Sequence, residues 1–361
     1  MEIIITAPSL DPQENISGVS SVVKFIIDNN NTRHQYIHFG LGKKDKERGG
    51  IFRVPSLFHA LRNWTLLLDS HPDALVHYSF PLSSGSILRD PWFMWIANRR
   101  KMRMVVHVHG GLFLTAPRIP MLYRWIMKKV FAFPVPFIAL SEMEVSLIKE
   151  KFGAKDVTTI PNCVDLHKAA DFQRVKKNGV LTLGFLGRIA KTKGVDYLLN
   201  ACQMLKENVI PFVMDIAGPE EQKDTYLPAF QSSLGNQFHY SGIVSGKEKV
   251  EFLKRIDILI FPTFFEGLPM SMLECMSYGV VPVTTPVGSI PQYIEDGNNG
   301  LFIKVRDTNS IINQVNKLHS DRDLLYTMSN QAKRTIFEKF NTESYIKALN
   351  ALYARVVKQG V

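Results

Sequence analysis

Two carboxylates, Glu266 and Glu274, stand in Phe265-Glu266-Gly267-Leu268-Pro269-Met270-Ser271-Met272-Leu273-Glu274, with seven residues between them. The first precedes a Gly-Leu-Pro turn, and the second lies in the amphipathic run behind it. Pro269 marks the first turn of a helix, because its missing N–H is an orphan donor there anyway. One carboxylate is then held at a helix entrance beside free backbone N–H groups, and the other about two turns further in. Such a pair could address a phosphorylated, hydroxyl-rich ligand at two points, or carry out general acid–base work.

Cations suited to the same ligand lie upstream. In Leu183-Gly184-Phe185-Leu186-Gly187-Arg188 a strand pattern runs into a glycine turn, and Lys191, Lys193 and Gly194 follow before a helical pattern begins. Gly187 lets a ligand approach the backbone, Arg188 can fork two hydrogen bonds onto a phosphate, and Lys193 adds a point charge. With a helix N-terminus these make a diphosphate clamp; taken alone, the segment is an ordinary surface βα loop. It is no Walker A loop, and no Gly-x-Gly-x-x-Gly follows a strand, which counts against a dinucleotide oxidoreductase. In Ser17-Gly18 the glycine at the mouth of the first helix can face a phosphate, while Ser17 reads equally as a plain N-cap.

His107 and His109 in Val105-Val106-His107-Val108-His109-Gly110-Gly111 share a strand face. No neighbouring Asp, Cys or third His completes a metal site, so none is assigned. His109 is the functional candidate, because it ends the strand before two glycines that permit a tight turn; His107 reads as a core residue. Asp321-Arg322-Asp323 has the spacing of a metal–nucleotide element, but its position before a helical pattern makes it a helix cap.

The elements that must hold these residues alternate from end to end. Strands are expected at 3–7, 35–39, 74–78, 104–108, 137–140 and 157–160, then at 181–186, 213–217, 238–240, 258–261, 281–284 and 301–303. Helical patterns fall at 19–28, 57–69, 87–100, 121–131 and 142–151, then at 195–205, 247–254, 270–277, 311–318 and 324–338, with a last one at 342–357. This rhythm implies parallel sheets covered by helices on both faces, with ligands beyond the strands' carboxyl ends. A chain of 361 residues exceeds one core. The polar stretch 165–179, with Lys168, Arg174, Lys176, Lys177 and Asn178, has neither strand nor helix periodicity and marks the boundary.

Hydrophobic content of 45% and charged content of 21% are those of a soluble globular protein. No apolar run is long enough to span a membrane, and the N-terminus lacks the basic flank and cleavage site of a signal peptide. Cys163, Cys202 and Cys275 show no paired spacing, which fits a reducing cytosol. The net charge of +10 is concentrated: residues 89–130 hold nine basic residues and one acid, Asp90. Trp92, Trp95, Met121 and Trp125 are interleaved with them. That combination suits an anionic membrane surface or an anionic substrate, or is simply the solvated face of a helix pair. No nucleic-acid-binding signature accompanies it, so nucleic acid is not expected as a partner.

Further segments extend the series: Ser141-Glu142, Pro161-Asn162-Cys163-Val164-Asp165, Ala217-Gly218-Pro219, Gly242, Phe261-Pro262, Pro286-Val287-Gly288-Ser289-Ile290-Pro291 and Asn299-Gly300-Leu301-Phe302. Taken in order with Gly18, His109-Gly110, Gly187-Arg188, Lys193-Gly194 and Glu266…Glu274, they resemble the retaining glycosyltransferases of the GT-B fold, in the large family 4 group. The resemblance implies an α/β protein of two Rossmann-like domains facing across a cleft. Residues 1–166 would bind the acceptor and 167–341 the nucleotide-diphosphate sugar, with a last helix, 342–361, packing back on the first domain. By the same resemblance Arg188 and Lys193 hold the diphosphate, Gly187 and Gly18 let backbone approach the phosphates, and the nucleobase meets backbone at Gly242 and Ile243. Glu274 accepts from the ribose hydroxyls, Glu266 contacts the transferred sugar beside Gly267, Leu268 and Pro269, and His109 positions that sugar. No cofactor and no metal is implied, and a UDP-sugar is the commoner donor. The acceptor would be a saccharide or lipid-linked saccharide for capsule, O-antigen or exopolysaccharide, handled in the cytosol or at the inner face of the plasma membrane. Departures are Ser17 before Gly18, Gln292 after the Gly-x-Ile-Pro element, and Cys163. Two other readings remain: a sugar-nucleotide epimerase or hydrolase of the same fold, and a catalytically silent polysaccharide- or lipid-binding subunit.

Overall fold

Runs of Ile, Val, Leu and Phe set between glycine- and polar-rich turns become strands that are buried on both faces, as parallel sheets require. A computed structural model of the chain describes residues 1–42, 54–116, 118–176 and 178–359; Lys177 of the polar stretch and residues 360–361 of the expected last helix lie outside the described residues. The chain forms two units, Met1–Cys163 with Thr342–Val361, and Val164–Asn341.

In the first unit six strands, β1 (Glu2–Ala7), β2 (Gln35–Gly40), β3 (Leu75–Phe80), β4 (Arg103–Val108), β5 (Phe137–Ala139) and β6 (Val157–Thr159), alternate with helices. These are α1 (Gly18–Asn30), α2 (Val54–Ser70), α3 (Ser84–Arg99), the single turn α4 (Leu112–Thr115), α5 (Met121–Phe131) and α6 (Glu142–Phe152). The sheet is parallel in the order β2-β1-β3-β4-β5-β6. One face carries a core in which Val76, Tyr78 and Phe80 of β3 meet Trp64 of α2, Phe93 of α3 and Phe131 of α5. Trp64 is fully buried and donates its indole N–H to the Phe93 carbonyl at 3.0 Å. Truncating it to alanine would cost about 3–5 kcal/mol, because the cavity cannot close around so large a void.

The second unit holds α7 (His167–Ala170), β7 (Leu181–Leu186), α8 (Val195–Glu207), β8 (Phe212–Ala217), α9 (Tyr226–Leu234), β9 (Phe238–Gly242), α10 (Gly246–Arg255), β10 (Ile258–Phe261), α11 (Met270–Ser277), β11 (Val281–Thr284), α12 (Ile290–Tyr293), β12 (Leu301–Phe302), α13 (Thr308–Ser320) and α14 (Arg322–Lys339). Its parallel sheet runs β12-β11-β10-β7-β8-β9. The chain then returns to the first unit as α15 (Thr342–Gln359), which packs on α1 and β4. Asn30 and Asn350 exchange hydrogen bonds at 2.9 and 3.0 Å, and Arg355 grips Asp156 through both carboxylate oxygens.

Every expected strand and long helix forms, with ends displaced by up to three residues. Helix α9 is an addition to the sequence reading. Pro228 in its first turn looks like a breaker, but a proline there sacrifices only an N–H that has no intrahelical partner. The Glu220 carboxylate caps the remaining donors, accepting from the N–H groups of Asp224, Thr225, Tyr226 and Leu227. The stretch 165–179 contains one helical turn, α7, where none was expected. Pro269 is the N-cap of α11, with φ −72° and ψ 120°, so it sits one position before the helix rather than in its first turn. Asp321 does cap α14, accepting from the Leu324 N–H at 2.8 Å. The three cysteines are buried, and no disulfide joins them. Among the described residues no helix is long and apolar enough to cross a membrane.

Candidate functional site

The second sheet grows outward from β7 in both directions, so the chain reverses its winding between β7 and β10. In open α/β sheets ligands bind beyond the carboxyl ends of the strands at such a switch point, so the loops that leave β7 and β10 there are the candidates. The β7 loop carries Gly187, Arg188 and Lys193; the β10 loop carries Glu266, Gly267, Leu268 and Pro269.

The two loops are stitched together at their bases. The Phe264 N–H donates to the Thr192 carbonyl at 3.1 Å. Gly194 has φ +72°, and a Cβ there would lie 2.0 Å from the Pro262 carbonyl oxygen, so only glycine allows this approach. Lys193 ends a 3-10 turn, Lys191–Lys193, and its ammonium is ion-paired with Glu266 Oε1. The same ammonium lies 5.7 Å from the centre of the Phe261 ring. Thr263 Oγ1 donates to Glu266 Oε1 at 3.0 Å, so two donors on separate strand ends orient this carboxylate. The chain after β11 braces it from a third side. Gly288, at φ +57°, passes so close that a Cβ would stand 1.9 Å from the Glu266 carbonyl oxygen, and the Ser289 N–H donates to the Gly267 carbonyl at 3.0 Å.

Glu274 lies inside α11 and pairs with Lys249 Nζ of α10 at 2.7 Å. Burial works against the Lys249 ammonium, but the adjacent Glu274 carboxylate outweighs it and raises the lysine pKa above its ordinary value. The lysine therefore keeps its charge beside the carboxylate, and Glu274 has acceptor capacity left for a second partner. Gly187, Gly218 and Gly242 line up where β7, β8 and β9 end. A Cβ on Gly218 would meet the Gly187 carbonyl oxygen at 1.9 Å, and the Gly218 N–H donates to the Gly242 carbonyl at 2.8 Å. Ile243 follows directly, and Arg188 is half-buried at the end of β7.

Gly18 and His109 belong to the first unit, at the carboxyl side of its sheet. Ser17 accepts from the Ser20 N–H at 3.2 Å and so is the N-cap of α1, while space around Gly18 is open. His109 follows β4 in a turn zipped to the end of β3: its N–H donates to the Phe80 carbonyl and the Leu82 N–H to the Gly110 carbonyl, both at 3.1 Å. Its ring stacks on His107 at 4.2 Å. His107 is wholly buried, its Nδ1 lies 3.2 Å from His77 Nε2, and His77 Nδ1 lies 2.6 Å from the Tyr353 hydroxyl of α15. Burial pushes the pKa of His77 and of His109 down to about 3, with the neighbouring His77 adding to the effect at His109. Both rings are neutral at physiological pH, so His109 offers a hydrogen bond rather than a charge.

Lys193 and Glu266 are thus brought into contact, Glu274 is held on the adjoining helix, and the glycines end neighbouring strands. Lys249, Thr263 and the Tyr353–His77–His107 chain are additions. No spacing rule pairs Lys249 with a carboxylate 25 residues away, and only the α10–α11 packing reveals it.

Comparison with known proteins agrees with this fold. The model of the family described as glycosyl transferases group 1 matches residues 167–335, and that of glycosyltransferase family 4 matches residues 28–168. A UDP-Gal:alpha-D-GlcNAc-diphosphoundecaprenol alpha-1,3-galactosyltransferase of Escherichia coli is 25% identical over 271 residues, covering 70% of this chain and 69% of that protein. Among solved structures, a sucrose-phosphate synthase of Thermosynechococcus elongatus superposes with a TM-score of 0.79 at 14% identity, over 99% of each chain. HepE of Anabaena, in complex with UDP-glucose, gives a TM-score of 0.76 at 13% identity, over 98% of this chain and all of that one. Two doubly wound sheets, and the matched models that together run from residue 28 to residue 335, make the chain a member of the family 4 glycosyltransferases of the GT-B fold.

Proposed function

We propose that the protein is a retaining hexosyltransferase that takes a sugar from a UDP-sugar and delivers it to a saccharide or lipid-linked saccharide during surface polysaccharide synthesis. The observation that carries this reading is the meeting of Lys193 and Glu266 at the switch point between β7 and β10. A cation and an acid at that switch point fit the charged and the hydroxyl-bearing ends of one donor. The UDP-glucose held by HepE supports the choice of donor, and the diphosphoundecaprenol in the name of the Escherichia coli relative supports a lipid-carried acceptor. Such an acceptor would bring the enzyme to the cytosolic face of the plasma membrane.

In this reading Arg188 and Lys193 take the diphosphate, Gly187 and Gly18 give phosphate oxygens access to backbone, and Gly242 and Ile243 border the base. Glu274, steadied by Lys249, accepts from the ribose hydroxyls. Glu266, with the backbone of Gly267, Leu268 and Pro269, holds the sugar, and neutral His109 adds a hydrogen bond to it. The acceptor oxygen bonds the anomeric carbon on the face that the diphosphate leaves. The breaking C–O bond gives its electron pair to the phosphate, and a phosphate oxygen takes the hydroxyl proton. Arg188, Lys193 and helix N-termini stabilise the growing charge, the part that a divalent metal plays elsewhere. Glu266 orients the sugar and supports its developing positive charge rather than attacking it.

Turnover of UDP-sugars, with and without candidate saccharide acceptors, tests the proposal. Nucleotide release that needs acceptor, persists in EDTA and gives an α-linked product from an α-linked donor is expected. Arg188→Ala should lower kcat/KM at least about a hundredfold. Donor hydrolysis independent of acceptor would mark a hydrolase, and an unaffected Arg188→Ala enzyme would remove the clamp.

A further inference from the structure

Three helices of the first unit carry a second apolar stripe that the core does not use. Their inner stripes pack on the same sheet face, through Trp64 and Leu68 of α2, Phe93 and Ala97 of α3, and Met127 and Phe131 of α5. Their opposite faces expose Phe58 and Leu66 of α2, Trp92 and Trp95 of α3, and Met121 and Trp125 of α5. Trp92 is 60% exposed and Met121 87%, values that belong to side chains resting on nothing. The spacing on each helix is that of one stripe: Phe58 and Leu66 flank Arg62, Trp92 and Trp95 lead to Arg99, and Met121 and Trp125 lead to Lys128 and Lys129. Because all three helices lie in one layer, the stripes belong to one side of the unit.

The charge around them has one sign. Arg62, Arg99, Arg124, Lys128 and Lys129 are exposed, whereas Asp90 is buried against Arg89 and Asp69 is bonded to Arg100. Arg99 lies 5.4 Å from the Trp95 ring centre and Lys129 5.9 Å from that of Trp125, so cations and aromatic rings share the same surface. Scattered exposed apolar residues need no explanation; tryptophans and methionines clustered among lysines and arginines do. Rings of this kind settle at the level of lipid headgroups, and the long basic side chains reach the phosphates beside them.

We propose that the outer face of α2, α3 and α5 docks the enzyme on an anionic lipid bilayer, with Trp92, Trp95, Trp125 and Met121 in the headgroup layer and the basic residues on lipid phosphates. This enlarges the 89–130 patch of the sequence by Phe58, Arg62 and Leu66. It rests on the lipid-linked acceptor only for its biological sense; docking is measured with neither donor nor acceptor present, so either idea can fail alone.

The full-length protein is mixed with phosphatidylcholine vesicles with and without about 30% phosphatidylglycerol, and bound protein is measured by flotation, with tryptophan quenching by brominated lipid. Binding is expected on the anionic vesicles only, to weaken as salt is raised, and with quenching of emission. Each basic residue changed to serine should weaken partitioning about fivefold, so Arg99, Arg124, Lys128 and Lys129 together should lose it by at least about a hundredfold. Trp92→Ser/Trp95→Ser/Trp125→Ser should lose binding while keeping its Tm and its turnover of a water-soluble acceptor, since these rings fill no core. Binding that ignores lipid charge, or persists in both variants, overturns the proposal. So does failure of the wild type to bind, or self-association that the tryptophan variant abolishes, which would make the face a contact between copies.

Discussion

Replacing Gly288 by alanine tests whether the loop after β11 positions Glu266. The perturbation has two separable parts. Holding a residue with a Cβ at φ +57° costs about 1–2 kcal/mol. The added methyl also stands 1.9 Å from the Glu266 carbonyl oxygen and 3.0 Å from that of Gly267, and both contacts are backbone, so no rotamer change relieves them. Restoring ordinary contact requires the two loops to separate by about 1.5 Å, a shift that also breaks the 3.0 Å bond from Ser289 to Gly267, worth about 1 kcal/mol. The unit should lose about 2–3 kcal/mol and roughly 5–10 °C in Tm while remaining folded. Displacement of Glu266 by more than 1 Å should lower kcat/KM by about a hundredfold. Gly297→Ala is the control, because Gly297 has φ +85° and open space around it, so it bears the conformational cost without the clash. Steady-state kinetics with the donor and thermal melts of both variants give the answer. If Gly288→Ala keeps kcat/KM within about threefold of wild type, or Gly297→Ala loses as much, the bracing role is wrong.

Lys249→Met should raise the KM for the donor by about tenfold with a smaller effect on kcat, since it leaves the Glu274 carboxylate partly buried beside an apolar chain; an unchanged KM would separate Glu274 from donor binding. The histidine chain gives a pH dependence. A base whose folded-state pKa is lowered contributes stability that is whole above its ordinary value, near 6.5, and is lost as pH falls toward the folded value of about 3. At about pH 5.5 protonation of His77 in the unfolded chain removes about 1.4 kcal/mol. Asp90 pulls the other way: burial raises its pKa to about 6, so its favourable contribution is lost as pH rises from about 4 to about 6. The Tm difference between about pH 7.5 and pH 5.5 should therefore be smaller in His77→Gln than in wild type; an identical slope would mean that His77 does not titrate on unfolding.

Much of this protein could be read from residue order. Strands of Ile, Val and Phe separated by amphipathic runs specify parallel sheets, because hydrophobic periodicity is local and survives without knowledge of neighbours. The order of glycines, cations and acids identified the family, and it drew attention to both acids, to Arg188 and to Lys193. Partners are another matter. Lys193 and Glu266 are 73 residues apart, and it is the winding of β7 beside β10 that brings their loops together. The cap on α9 comes from Glu220 in the preceding loop, four to seven residues before the N–H groups it serves, a contact that no capping pattern at the helix itself spells out. His107 read correctly as a core residue, but its bonding through His77 to Tyr353 depends on α15 returning to the first unit. The tryptophans of α3 and α5 were visible as a basic aromatic run, whereas packing alone decided that the core takes Phe93 and Met127 and leaves Trp92, Trp95 and Trp125 outside. Sequence thus determined the elements and the kinds of chemistry, since these are written in spacing and residue type. Tertiary structure decided which carboxylate meets which lysine, because contacts between distant segments are set by topology and close packing rather than by any local pattern.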